Sequence, residues 1–136
     1  MIRAMLVLGL LGILIGLAVT EQVIINNIYG TMKTETAAII MMVESTPETH
    51  NPDDFKFDDG LRVRIDKLHR YWMRREKNLS MLIRHIDLTY VSDALIYARN
   101  FIHFDNKEET MAGLSRLEYL LESYASVFGF NGVNIL

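Results

Sequence analysis

Cysteine is absent from this chain of 136 residues, and proline occurs only twice. The lack of cysteine excludes a disulfide framework, a thiolate metal site, a cysteine nucleophile and a cysteine-linked lipid anchor. Two prolines and eight glycines are too few for a turn-rich all-β fold. Catalytic motifs are also missing, since there is no nucleophile elbow, P-loop, glycine-rich dinucleotide motif or Ser-x-x-Lys pair. The sequence therefore predicts a non-enzymatic protein without a cofactor.

Hydrophobic residues make up 50% of the chain, and their excess lies at the N-terminus. The run Ala4–Val19 holds only apolar residues and glycine. A helix over residues 2–20 would be ~28 Å long, close to the ~30 Å hydrocarbon core of a bilayer. Arg3 precedes the run and Glu21 follows it, so the positive-inside tendency predicts a cytoplasmic N-terminus. Residues 21–136 are then expected outside the cytoplasm.

Segment 1–20 is interpreted as the uncleaved signal anchor of a single-pass cell-membrane protein. A cleaved signal peptide is the alternative, although Ala18–Thr20 is a poor small-x-small cleavage site, and both interpretations export the rest of the chain. Gly12 and Gly16 form a small-xxx-small pair, a spacing that lets two membrane helices approach closely. These glycines are candidate packing positions for a membrane-protein partner or a second copy, but glycine is also common in membrane helices generally.

The exported part has helical periodicity on both sides of one loop. Residues 21–44 carry apolar residues at alternating steps of three and four, which predicts a helix continuing from the anchor. Residues 45–58 hold both prolines and no periodicity, and predict a loop that Phe55 and Phe57 attach to the rest. Residues 59–136 predict a helical hairpin domain. The predicted fold is all-α: one transmembrane helix followed by an exported antiparallel helical bundle or long helical hairpin of three to four helices.

Periodicity leaves open whether residues 59–102 form one helix. No proline interrupts this segment, yet a continuous helix would be ~66 Å long. Such a helix would be about twice as long as its neighbours along the chain. A kink near Asn78–Ser80 is one alternative, and a break at Thr89–Asp93 with Ser92 as the cap of the restarted helix is the other.

Basic residues are concentrated in the segment 61–84, which has eight of them and only two acidic residues. The cluster predicts a patch for an anionic lipid or cell-wall polymer. Export and the overall charge of −3 argue against nucleic acid as the partner. The alternative is a solvated helix face on which Asp66 is shared by its basic neighbours four residues away. Arg70, Arg74 and Arg75 are the candidate interaction residues.

Histidine–acid pairs occur twice, as His85-x-Asp87 and His103-x-Asp105, but no His-Glu-x-x-His motif is present. Residues two apart on a helix face away from each other, so neither pair is a ready chelate. The sequence therefore predicts no metal site.

From Trp72 onward the chain has, in order, a tryptophan, two leucines, a His-x-Asp-Leu motif, an acidic turn and an Asn-Ile-Leu ending. These features are Trp72, Leu79, Leu82, His85–Leu88, Asp105–Glu109 and Asn134–Leu136. Together with the N-terminal anchor, this order resembles the bacterial membrane-anchored domain-of-unknown-function family 4363. The resemblance implies a helical envelope protein that faces a Gram-positive-type cell wall. Because the activity of that family is unknown, the resemblance implies no mechanism.

The residues that carry over from this resemblance are Trp72, His85, Asp87 and Asn134, which complete the candidate interaction set. Trp72 and His85 are 13 positions apart, or about 220° around a straight helix. They are therefore interpreted as two packing anchors and not as one site. Trp72 is expected in the core.

Two functional hypotheses follow from these patterns. The first is a non-enzymatic single-span protein that serves as an accessory or scaffold for a membrane or envelope partner. The second is an extracytoplasmic module that binds or senses an anionic ligand, lipid or cell-wall polymer through residues 61–84. The expected partners are the membrane and either a membrane protein or a second copy of this chain, and no nucleic acid.

Overall fold

A computed structural model describes the backbone of residues 2–49 and 54–128, and the side chains of residues 5–49 and 54–124. Its helices are α1 (Ile2–Ser45), α2 (Asp59–Leu79), α3 (His85–His103) and α4 (Lys107–Phe128). The predicted all-α fold, with a long apolar first helix and a helical bundle, is confirmed.

Each helix packs against the next one along the chain, and α4 closes the ring by packing against α1. Adjacent helices are antiparallel, as the first pair illustrates. Tyr29 of α1 contacts Trp72 edge-on, whereas Glu35, further along α1, binds Arg64, which lies earlier in α2. This is the up-down-up-down arrangement of a four-helix bundle. The connection between α2 and α3 therefore lies at the end of the bundle from which the N-terminal half of α1 emerges.

Helix α1 changes its surroundings halfway along its length. Side chains from Met5 to Ile24 are exposed apart from half-buried Gln22, whereas a stripe from Ile25 to Val43 is buried in the bundle. The stripe follows helical spacing, so one face of this half points into the core. Its members are Ile25, Ile28, Tyr29, Met32, Thr36, Ile39 and Val43. Among the described residues, α1 is the one helix long and apolar enough to cross a membrane.

Helix α2 ends at Leu79, and α3 begins at His85 after a tight turn. The helix is therefore fully broken next to Asn78–Ser80, where the sequence predicts only a kink. The alternative break at Thr89–Asp93 is wrong because those residues lie inside α3. The backbone N–H of Ile83 donates a hydrogen bond to the carbonyl of Leu79 at 2.8 Å, and both side chains are buried. The turn is therefore tied to the core by its own apolar residues.

Acidic residues fix the two loops at the opposite end of the bundle. Asp58 caps α2 by accepting a hydrogen bond at 2.9 Å from the backbone of the first turn. Asp105, whose φ of 57° is left-handed, accepts hydrogen bonds from the N–H of Phe57 at 2.7 Å and from Arg62 at 2.6 Å. Phe55 and Phe57 are both buried, so the expectation that these phenylalanines attach the loop to the bundle is confirmed.

Helices α3 and α4 approach each other closely at Gly113. A Cβ atom at this position would lie 2.9 Å from the backbone nitrogen of Ala98 and 2.9 Å from Cδ1 of Tyr97. The missing side chain of glycine therefore sets the distance between the two helices at this level. Leu114, the next residue, is fully buried and fills the core beside the contact.

Candidate functional site

The outer face of α2 carries a groove lined by basic residues. Lys67, Arg70, Arg74 and Arg75 surround Tyr71 and border a volume of about 480 Å³. Residues three, four and seven positions apart lie on one side of a helix. All four basic side chains are exposed, because the apolar stripe of the same helix turns toward the core. We refer to these five residues as the α2 groove.

The α2 groove concentrates positive charge on one face of α2. Within the described part of the chain, none of the four forms an ion pair. The guanidinium of Arg75 lies 5.5 Å from the centroid of the Tyr71 ring, which is a cation–π contact. Closely spaced cations create a positive potential that attracts anions. The structure thus brings the candidate residues Arg70, Arg74 and Arg75 together, and their role in binding stays a prediction.

Three other arginines of the segment 61–84 are held in ion pairs, two of them by acids far away along the chain. The pairs are Arg62–Asp105 at 2.6 Å, Arg64–Glu35 at 3.0 Å and Arg84–Asp87 at 2.8 Å. Arg62 and Arg64 stabilise contacts between elements, whereas Arg84 binds an acid in the first turn of α3. The basic cluster therefore divides into a structural part, the exposed α2 groove and the exposed Lys77 near the end of α2.

Asp66 is engaged by α3, and not by basic neighbours on its own helix. It accepts a hydrogen bond from Arg99 at 2.6 Å and lies 3.1 Å from Nε2 of His103. Desolvation pushes the pKa of Asp66 up, but the hydrogen bonds from His103 and Arg99 outweigh it and hold the pKa below its usual range. The interpretation of Asp66 as an acid shared along α2 is wrong, because both of its partners lie on α3.

Trp72 is fully buried, as expected, and belongs to a chain of hydrogen bonds. Its Nε1 donates to Oγ of Ser92 at 2.7 Å, and that hydroxyl donates to Oε1 of Glu76 at 2.8 Å. Ser92 is therefore the partner of a buried indole in the middle of α3, and the role of helix cap expected for it is wrong. Since the indole has no contact with solvent, Trp72 acts in packing.

Asp87 is buried at the end of the bundle from which the apolar half of α1 emerges. It accepts hydrogen bonds from Arg84 at 2.8 and 3.2 Å and from the hydroxyl of Tyr124 at 3.1 Å. Burial, together with the hydrogen bond to Asp87, raises the pKa of Tyr124. Burial also raises the pKa of Tyr29, whose ring contacts that of Tyr124 edge-on at 6.2 Å. These contacts join α1, α3 and α4, so Asp87 has a structural role here.

His85 lies exposed on the first turn of α3, with Thr89 as its neighbour one turn later. Its interpretation as a packing anchor is therefore wrong, whereas the same interpretation holds for Trp72. His85 and Asp87 face different surroundings, as residues two apart on a helix must. Groups of three residues able to hold a metal are not found in the ranges that the structure describes.

Gly12 and Gly16 lie on the exposed half of α1. A Cβ atom at either position would meet nothing within 4 Å, so this face of the helix is open. Their packing against another membrane helix stays a prediction. Asn134 lies outside the described residues.

A wider depression of about 650 Å³ lies at the far end of the bundle, between the loop after α1 and the start of α4. Its lining carries charges of both signs. Lys107 donates a hydrogen bond to the carbonyl of Thr46 at 2.8 Å and lies 3.8 Å from Glu48. Because the cation of this depression is already engaged, the α2 groove is the stronger candidate for an anionic ligand.

Comparisons of the chain with models of known families, with curated proteins and with solved structures find no match. The resemblance to family 4363 therefore remains a hypothesis. The case for a function rests on the geometry of α1 and of the α2 groove.

The contact between Trp72 and Ser92 was missed by reasoning from the sequence, although a signal for it exists. Ser92 falls on the apolar stripe of α3, four residues after Leu88 and three before Leu95, both of which are fully buried. A hydroxyl in the middle of such a stripe must be buried, and buried polar groups are hydrogen-bonded. The only tryptophan of the chain, on the preceding helix, is a natural donor.

Proposed function

We propose that this chain is a non-enzymatic, single-pass membrane protein whose apolar half of α1 crosses the cell membrane. In this proposal the N-terminus is cytoplasmic and the four-helix bundle stands outside the cytoplasm. The bundle serves as an accessory or scaffold for a membrane or envelope partner, which is another membrane protein or a second copy. The observation that carries the proposal is α1, one unbroken helix with an exposed apolar half and a half packed in the bundle.

The exposed half of α1 is too apolar to be stable in water. Eleven large apolar side chains from Met5 to Val19 are more than half exposed. Removing them from water is worth on the order of 20 kcal/mol, at ~1.5–3 kcal/mol for each side chain. A bilayer provides an apolar environment over ~30 Å, which matches the length of this segment. Arg3 before the segment and Glu21 after it favour a cytoplasmic N-terminus.

The unbroken helix also supports the role of a scaffold. No glycine or proline interrupts α1 between Gly16 and Gly30, so the helix passes directly from the apolar segment into the bundle. A membrane contact through Gly12 and Gly16 would fix the rotation of α1 about its axis. The same contact would then orient the bundle that α1 carries.

Export of the bundle is testable with a single introduced cysteine, because the chain has none. Tyr119, which is 69% exposed on α4, is a suitable position. In intact bacterial cells, the Tyr119→Cys variant is expected to react with a maleimide that cannot cross membranes. Reaction that occurs only after the cells are lysed would contradict an exported bundle.

The scaffold role is tested by association in a mild detergent. Native mass spectrometry of the full chain is expected to detect a complex with a membrane protein or with a second copy. Replacing Gly12 and Gly16 together by leucine should weaken that complex, because the two helices can no longer approach closely. Ala18→Leu is the control, since position 18 lies on the opposite face of the helix. Repeated recovery of the free monomer from wild type would overturn the scaffold role.

A second candidate function is binding of an anionic ligand or cell-wall polymer in the α2 groove. The observation that favours it is the set of four cations around Tyr71, none of which forms an ion pair with a residue that the structure describes. With soluble polyphosphate as the probe, the melting temperature of the full chain is expected to rise. Changing Arg70, Arg74 and Arg75 to glutamine should abolish the rise, whereas Arg116→Gln on α4 should preserve it. An unchanged response of the triple variant would refute this function.

A further inference from the structure

The antiparallel packing of α2 against α1 fixes the position of the turn between α2 and α3 along the axis of the bundle. Trp72 lies against Tyr29, with ring centroids 6.2 Å apart. Leu79 is seven residues further along α2, which is ~10 Å of helix. The same distance along α1 leads from Tyr29 back to Gln22, next to Glu21, where the apolar segment has just ended. The end of α2 is therefore level with the end of the apolar segment.

The turn that follows α2, Ser80–Arg84, and the start of α3 expose apolar side chains at this level. Met81 at its tip is 90% exposed, and Ile86 in the first turn of α3 is 51% exposed. The turn itself is held in place by Ile83, which is buried in the core. Exposing an apolar side chain to water is unfavourable, whereas placing it among lipid chains is favourable. Because the turn is held firmly, it cannot rearrange to bury that side chain. We refer to Ser80–Arg84 as the basal turn.

Cations flank the apolar tip of the basal turn. Lys77 is exposed one turn before it and forms no ion pair within the described residues. The side chain of Arg84 is 80% exposed even though its guanidinium binds Asp87. Apolar residues surrounded by lysine and arginine are typical of segments that lie at the interface of an anionic membrane.

We infer that the basal turn rests on the membrane that α1 crosses, with Met81 among the upper acyl chains and Lys77 and Arg84 at the lipid phosphates. This inference rests on the proposed membrane span. It adds a second point of contact between the bundle and the bilayer, beside the helix that enters it. Two points of contact fix the tilt of the bundle, which one helix alone leaves free. The α2 groove is then held at a constant height above the lipid headgroups.

The test uses single cysteines labelled with an environment-sensitive fluorophore in the full chain. The chain is reconstituted in vesicles of equal parts phosphatidylglycerol and phosphatidylcholine, some of which carry nitroxide groups that quench nearby fluorophores. Met81→Cys reports on the basal turn. Met41→Cys is the matched control, because Met41 is 70% exposed and lies in α1 at the opposite end of the bundle. Leu11→Cys reports on the membrane span.

The expected result is a roughly twofold or larger loss of emission from the label at Met81, with nitroxides near the headgroups, and no loss at Met41. The label at Leu11 is expected to respond to nitroxides deep in the acyl region. If Leu11 responds and Met81 behaves like Met41, the basal contact is wrong while the membrane span stands. If Leu11 does not respond, the span fails and the inference fails with it.

A protein partner at the basal turn is distinguished in the same experiment. A label at Met81 that is shielded from water but not quenched by the lipid nitroxides would place a protein there, and would overturn the inference. Lys77→Gln tests the contribution of charge. It is expected to reduce the quenching at Met81 in vesicles that contain phosphatidylglycerol, and to leave it unchanged in pure phosphatidylcholine. An equal reduction in both would show that Lys77 does not bind the anionic lipid.

Discussion

Replacing Gly113 with alanine tests the close approach of α3 and α4. The added methyl group would lie 2.9 Å from the backbone nitrogen of Ala98 and 3.0 Å from its Cα. Real Cβ atoms do not approach backbone atoms this closely in an unstrained core. Because these two atoms belong to the backbone of α3, a change of the Tyr97 rotamer cannot remove the clash. The two helices must move apart.

Two opposing effects determine how much Gly113→Ala changes the free energy of unfolding. Alanine stabilises a helix by about 1 kcal/mol relative to glycine. Overpacking a core contact costs about 1–3 kcal/mol, and obstruction by backbone atoms favours the upper part of that range. The net destabilisation is therefore about 1–2 kcal/mol, or a fall of about 4–8 °C in the melting temperature of a domain of this size.

Gly30→Ala is the matched control, since Gly30 lies in α1 and a Cβ there would meet nothing within 4 Å. It should raise stability by about 0.5–1 kcal/mol, because only the helix preference changes. Unfolding of the full chain in detergent is followed by the emission of Trp72, the single tryptophan, which is fully buried. If Gly113→Ala is as stable as Gly30→Ala, the close approach of α3 and α4 is incorrect.

Two further predictions concern buried and bridging polar groups. Trp72→Phe is expected to lower the free energy of unfolding, measured by circular dichroism, by about 2–3 kcal/mol, because it removes core volume and leaves Ser92 without its donor. In the double variant with Ser92→Ala, the loss of stability should be less than the sum of the two single losses. In the folded state, His103 and Arg99 depress the pKa of Asp66. Its carboxylate therefore stabilises the fold at pH values above the unfolded pKa of about 3.9. This contribution to the free energy of unfolding is lost as the pH falls through the folded pKa. The difference in urea midpoint between wild type and Asp66→Asn should therefore be present at pH 5 and shrink below about pH 4, and a difference that grows on acidification would contradict the assignment.

Apolar periodicity predicted much of the fold because it directly determines which face of a helix is buried. Of the six positions at steps of three and four along 21–44, Ile25, Ile28, Met32 and Ile39 are buried in α1, whereas Glu35 and Met42 are half-buried. The stripe of α4 includes the fully buried Leu114, Leu117 and Leu121. The two prolines marked the loop in the same way, since proline lacks the N–H that a helix interior requires. These signals are local, so they need no knowledge of neighbouring helices.

Pairing between helices could not be predicted from the same signals. The sequence presents eight basic residues in 61–84 as one cluster, but Arg62 and Arg64 find acids 43 and 29 residues away. Local spacing instead suggested Asp66 as the partner of Arg62. Which cations remain exposed depends on which acids the antiparallel packing brings alongside, and that requires the register of the helices. The α2 groove is therefore a consequence of the tertiary structure.

The break after Leu79 has a physical reason that periodicity does not contain. Under the proposed topology, α1 leaves the membrane near Glu21 and ends at Ser45, which gives ~36 Å of helix outside the bilayer. A helix that returns antiparallel from the loop reaches the membrane surface after about the same length, and α2, with 21 residues, is ~32 Å long. Continued over residues 80–102, α2 would enter the bilayer with Arg84 and Arg99, and one such charge at the bilayer centre costs ~3 kcal/mol or more. Under that topology, the membrane span and the length of α1 together require the chain to turn near residue 80.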